Sequence, residues 1–215
     1  WWHLPIIMLF WANTHGAFIA GFLTLFIYGL GIGWDMFWER IPKESKLPKG
    51  FWQFLVIGLT TSLLVTLINP SGFDLWKTSV GYLGSKYLVD RTVEYMSPNF
   101  HDVTFWPFLI FIGLLFLTMA FSRKKVESSK LFNTIAWLMM GLYSGRNIPL
   151  FAIIAAPLLA EYLDDIFIGA NSENKTLKYF KGLDSRLRNL ESQLKGGFWP
   201  AASIITAIIV LGSGL

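Results

Sequence analysis

From Leu4 to Trp34 the chain runs for 31 residues without an aspartate, glutamate, lysine or arginine. At 1.5 Å per residue, one straight helix of that length would extend about 46 Å, against roughly 30 Å of bilayer hydrocarbon. The run is not uniformly apolar: within MLFWANTHGAFIAG, residues 8–21, Asn13, Thr14, His15 and Gly16 interrupt it near its middle. A second run, Leu131 to Ala160, has 30 residues with Arg146 as its sole charge. It also breaks centrally, at Ser144-Gly145-Arg146-Asn147 followed by Pro149. Sharp helix breaks have identifiable causes, and inside a bilayer the backbone groups they free must find partners. Both runs are therefore read as broken elements, either two short spans folded into a hairpin or a helix kinked at the break.

The remaining composition agrees with a membrane solvent. The 215 residues are 53% hydrophobic and only 15% charged, outside the range of ordinary soluble domains. Residues 51–68 and 104–121 are simple spanning candidates of 18 uncharged residues each, and 198–215 makes a third. With the two long runs split, the expectation is an all-α, polytopic transmembrane bundle of about seven hydrophobic segments. Residues 1–163 would form the bundle, with an outer loop at 69–103. Residues 164–197 would be a cytoplasmic amphipathic segment, and 198–215 the start of a further span. Because the chain opens at Trp1 and closes inside an uncharged run, it is read as part of a longer polytopic protein. The sequence has no cysteine, hence no disulfide or thiolate chemistry.

The basic residues test the split, because dividing a run changes the side on which later loops fall. Arg40, Lys43, Lys46 and Lys49 lie in loop 34–50, and Arg123, Lys124, Lys125 and Lys130 lie in loop 122–130. Lys175, Lys178, Lys181, Arg186, Arg188 and Lys195 follow in 164–197. With both runs split, these 14 of 18 basic residues share the inner side, leaving Lys77, Lys86, Arg91 and Arg146 outside. Orientation thus accounts for the net charge of +4 without a nucleic-acid partner. The His15 break, loop 69–103 and the Arg146 break would then converge on the outer face. Within that loop, Trp76, Val80, Leu83 and Tyr87 follow helical spacing and suggest an interfacial helix with aromatics at headgroup level. On the inner side, Leu177, Phe180, Leu183, Leu187, Leu190 and Leu194 form an apolar stripe among lysines and arginines, which suggests a surface or lipid-headgroup helix.

Several residues have the chemistry of a site. Trp11 and His15, four apart, would share a helical face. Asn13 and His15 either hydrogen-bond a neighbouring helix or face a polar cavity. Arg146 carries a guanidinium whose fork suits a phosphate or carboxylate, Asn147 adds a donor and an acceptor, and the alternative is an anchor at the headgroups. In VEYMSPNFHD, residues 93–102, Glu94 and His101 are candidate general-base or sugar-binding groups, whereas Asp90 and Asp102 fit a solvated loop. Asn69-Pro70-Ser71-Gly72 reads as a turn, and Glu161 with Asp164-Asp165 as a helix-end surface. No cofactor motif is evident, and a divalent metal at the carboxylates is a possibility left open. GxxxxGK[ST], GxGxxG, GxSxG and HExxH are all missing, so nucleotide-driven, serine-hydrolase and zincin chemistry have no support in this sequence.

Taken in order, WANTHGAF (11–18), INPSG (68–72), VEYMSPNFHD (93–102) and GRNIPLFAIIAAPLLA (145–160) resemble a group of bacterial and archaeal polytopic membrane proteins similar to the GT-C superfamily of lipid-dependent glycosyltransferases. The resemblance covers about residues 1–163. It implies a helical bundle in the prokaryotic cytoplasmic membrane, an extracytoplasmic active face and a polyprenyl-phosphate sugar as donor. It implies also that the main catalytic acid belongs to a loop before Trp1. Arg146, Asn147 and His15 would hold the lipid phosphate, Trp11 would stack on a sugar ring, and Glu94 could assist as base. A lipid or solute transporter would also use broken helices, and a non-catalytic assembly subunit is the third expectation.

Overall fold

Both long runs break where the polar residues fall. In the computed structural model, which describes residues 2–38, 50–83, 91–169, 175–194, 201–203 and 205–206, the first run divides into α1 (His3–Thr14) and α2 (Ile19–Phe37). The second divides into α6 (Ser128–Tyr143) and α7 (Ile148–Gly169). Between the pairs lie α3 (Phe51–Val65), α4 (Asp74–Leu83) and α5 (Trp106–Phe121), and α8 (Lys175–Gln193) follows α7. Short 3-10 turns lie at 16–18, 93–95, 103–105 and 145–147, residues 201–203 and 205–206 are helical, and no strand occurs among the described residues.

The two breaks have one geometry. His15 (φ −156°, ψ 135°) and Ser144 (φ −148°, ψ 122°) are extended, and each is followed by a three-residue 3-10 turn that leads into the next helix. Each residue closes the helix behind it before the chain turns, His15 N donating to Trp11 O and Ser144 N to Met140 O, both at 2.9 Å. Pro149 then occupies the first turn of α7, where its missing N–H costs no helical bond.

Helices α1 and α3 pack together, while α2, α6, α7 and α5 form a row in that order. The row buries Phe108, Leu115, Trp137, Phe151, Ala155, Leu158 and Tyr162, with Phe108 and Phe111 each 5.5 Å edge-on to Phe151. Helices α2 and α6 run antiparallel. At one end the Asp35 carboxylate accepts from Ser128 N at 3.0 Å and from Ser128 Oγ, satisfying the first turn of α6. One turn back along α2, Gly31 lies against the Ser129 backbone, and further along Trp137 Nε1 donates to Thr24 Oγ1 at 3.1 Å.

The fold is all-helical, and among the described residues two helical stretches are long and apolar enough to cross a membrane, Gly16–Phe37 and Val103–Phe121. This is coarser than the seven expected segments. Helix α1, with 12 residues, extends only about 18 Å at the α-helical rise and falls short of a bilayer by itself. Helix α3 is apolar but has 15 residues. Helix α7 continues past the expected boundary at 164 to Gly169. A helix is present in the expected place as α4, up to Leu83; Asp90 and Tyr87 lie outside the described residues, as does most of 198–215.

Candidate functional site

The first break is built for packing as much as for exposure. His15 has left the helix, so it does not share a helical face with Trp11, and its Nδ1 accepts from Ala17 N at 3.0 Å as a cap for the turn. Trp11 is half-buried beside Met8 and Phe18. The missing side chain of Gly21 admits it, since a Cβ there would lie 3.0 Å from both the Trp11 ring and Met8 Sδ. Asn13 is exposed, and its Nδ2 donates to Leu9 O at 2.8 Å and to Ile68 O at 2.9 Å, tying α1 to the chain leaving α3. The Asn69 turn closes on itself: its Nδ2 donates to Thr66 O at 2.6 Å and its Oδ1 accepts from Ser71 N at 2.8 Å. Helix α4 folds back over this end. Trp76 sets its ring edge-on to Phe18 at 4.9 Å and donates from Nε1 to Thr66 Oγ1 at 2.9 Å, so it anchors α4 to the bundle.

The second break is clasped by residues 93–97. Ser144 Oγ donates to Glu94 O at 3.2 Å, Gly145 N to Met96 O at 3.0 Å and Ser97 Oγ to Tyr143 O at 3.0 Å. These bonds satisfy backbone groups that the break frees. They also bring the buried ring of Tyr95 under Arg146, whose guanidinium carbon lies 4.3 Å from the ring centroid. Arg146 is half-buried and forms no ion pair with any described residue. The guanidinium is thus held from one face by a cation–π contact, which leaves its planar fork of N–H donors for a ligand. Asn147 Nδ2 is used locally, donating to Met140 O at 3.2 Å.

The antiparallel register of α2 and α6 carries both breaks to the same end. Thr24 meets Trp137, so the turn before α2 is level with the turn after α6. The backbone of Glu94 joins the Arg146 break through the clasp, its side chain being exposed, and the His15 turn lies at the same end of the α2–α6 pair. His101 is exposed further along the same loop, where its N–H donates to Asn99 Oδ1 at 3.2 Å. Asp102 caps the following 3-10 turn; its bond from Thr104 N, 2.9 Å long, holds its carboxyl below the usual value. No three His, Asp or Glu side chains among the described residues assemble into a group that could hold a metal ion.

The opposite end is chemically different, and its acids are committed to structure. Glu161 bridges Lys130 at 2.8 Å and Lys124 at 3.7 Å. Asp165 accepts from Ser122 Oγ at 2.7 Å and Arg123 N at 2.8 Å, and these bonds hold its carboxyl below its ordinary value of 3.8. The unfolded chain therefore binds this proton more readily, so stability rises with pH across the acidic range. The contribution is complete above the ordinary carboxylate value and disappears as pH falls through the native one. Asp165→Asn is expected to flatten the acid limb of a melting-temperature profile below about pH 4, while leaving the order of stabilities at neutral pH with wild type above the variant.

Tyr95, Ser97, Asp35 and Gly31 were not distinguished by sequence reasoning. For Asp35 there was a usable signal, a carboxylate immediately beyond a 31-residue uncharged run. Nothing in local spacing brings Tyr95 to Arg146, which lies 51 positions away. Comparison of the chain with protein-family models, curated proteins and solved structures finds no match.

Proposed function

We propose that the protein is a polytopic membrane glycosyltransferase of GT-C-like type that transfers a sugar from a polyprenyl-phosphate donor at the end that carries both breaks. The observation that carries this reading is Arg146: a half-buried guanidinium with no ion pair among the described residues, stacked on Tyr95 at 4.3 Å and presented at a helix break. In such a transfer the bond between sugar C1 and the phosphate oxygen breaks, and a bond forms from C1 to an acceptor oxygen. The acceptor's proton passes to a base, and polyprenyl phosphate leaves as an anion. Arg146 stabilises the charge that develops on the leaving phosphate, and the adjoining N-terminus of α7 reinforces it. His15, exposed at the other break, supplies a second polar contact, and Glu94 or His101 takes the acceptor proton. The break end faces the extracytoplasmic side, as the basic residues of the other end predict.

A polyprenyl phosphate bearing a photoreactive group in its first isoprene units tests this assignment. In proteoliposomes it is expected to label residues near 93–97 and 144–147, and added inorganic phosphate esters should reduce the labelling of wild type but not of Arg146→Ala. Labelling confined to the Lys124–Lys130 end would overturn it.

The transporter reading has a specific observation behind it as well, because the two breaks share one backbone geometry. It requires breaks near the bilayer midplane. The first turn opens the 22-residue apolar stretch Gly16–Phe37 that continues as α2, and a turn at one end of such a stretch favours the transferase.

A further inference from the structure

We infer that α8 is a docking surface for anionic phospholipid headgroups, lying in the membrane interface at the Lys124–Lys130 end of the bundle. Leu183, Leu187, Leu190 and Leu194 recur at intervals of four, three and four and therefore form one stripe. That stripe is open: Leu183, Leu190 and Leu194 are 42%, 41% and 54% exposed, and Tyr179 beside them is 71% exposed. A scattered exposed leucine needs no explanation, but a continuous apolar stripe does.

Charge selects the occupant. Helix α8 has five basic residues, Lys175, Lys178, Lys181, Arg186 and Arg188, against Asp184 and Glu191. The sequence sets the basic residues on the flanks and the far side of the stripe, the distribution of helices that lie along anionic bilayers. A second protein's apolar groove would be satisfied by the leucines without the cationic rim. Geometry fixes the helix where headgroups are. Arg188 bridges Asp164 of α7 at 2.9 Å and Asp184 of its own helix at 2.8 Å, so α8 is latched to the end of a bundle helix beside Ser122 and Arg123, which close a membrane-length stretch. The latch also sets the roll of α8 about its axis and turns Arg188 away from the lipid.

Because the chain has no cysteine, a single introduced thiol reports cleanly. Full-length protein bearing Leu190→Cys, labelled with an environment-sensitive fluorophore, is reconstituted into vesicles of zwitterionic lipid with or without a third of anionic phospholipid. The expected result is a blue-shifted emission, quenched by acyl-chain-brominated lipid, with anionic vesicles only, and reversed between about 0.1 M and 1 M salt as the Debye length falls from roughly 10 Å to 3 Å. Ser192→Cys, on the polar side, should stay water-exposed in both. The double reversal Lys178→Glu and Arg186→Glu should abolish the shift while leaving the bundle's melting temperature unchanged. Equal shielding in zwitterionic vesicles, shielding without lipid quenching, or a water-exposed Leu190→Cys label in every vesicle overturns the inference.

Discussion

Gly31→Ala will separate α2 from α6 and lower the stability of the bundle by about 3 kcal/mol, the upper end of ordinary overpacking. A Cβ at this position would lie 2.2 Å from Ser129 Cα and 2.4 Å from Ser129 N, distances no side-chain rearrangement can relieve because the neighbour is backbone. The helices must move apart, and two bonds depend on their approach. One is the Asp35 cap on Ser128, and the other is the bond from Trp137 Nε1 to Thr24. Each contributes about 1 kcal/mol in its own right, so the clash and the lost bonds reinforce one another. Gly29 and Gly33, on the same helix, have nothing within 4 Å of an added Cβ. Gly29→Ala and Gly33→Ala are therefore expected to be neutral or to stabilise by up to about 1 kcal/mol through helix propensity. Melting temperatures of the three purified variants in one detergent measure the difference. Three equal values would mean that α2 and α6 do not cross at Gly31.

Arg146→Ala is expected to reduce sugar transfer about 10²- to 10³-fold, the usual effect of removing one preorganised donor from a developing anion. The loss should be mostly in kcat, because charge on the leaving phosphate grows toward the transition state. Arg146→Lys should fall between, retaining the charge but not the planar fork or its stacking on Tyr95. Stability should change little in either variant. The break is held by Ser144 to Glu94 O, Gly145 N to Met96 O and Ser97 to Tyr143 O, none of which involves the guanidinium. A variant that unfolds would show instead that Arg146 is a structural anchor for the loop. A folded variant with full activity would remove it from the site.

The backbone breaks were legible in the sequence because an apolar run longer than a bilayer is thick has to turn or kink, and Asn13 to Gly16 and Ser144 to Asn147 are the polar interruptions of those runs. The turn at Asn69 was equally legible from its own side chain. What local patterning does not encode is partnership across long separations. Asn13 could be identified as a polar residue in a span, but not as the donor to Ile68 O. Arg146 could be identified as costly to bury, but not as seated on Tyr95. The pairing of Trp11 with His15 failed for a physical reason: helical periodicity holds only while the helix does, and α1 ends at Thr14. The acids at the other end looked like surface and proved to be caps and ion-pair partners, since a loop carrying Arg123, Lys124 and Lys130 beside free backbone N–H groups offers a carboxylate more than water does.

The proposed reaction breaks a bond between a sugar and a lipid phosphate at the end of the bundle that carries the His15 and Arg146 breaks. Full-length protein in sealed vesicles, supplied with polyprenyl-phosphate sugars labelled separately in the sugar and in the phosphate, tests it most directly. Label in the sugar is expected to leave the lipid while label in the phosphate stays with it, and this separation is expected to fail in Arg146→Ala. Donor lipid that remains intact but moves across the bilayer in a protein-dependent manner would contradict it and assign the two breaks to transport.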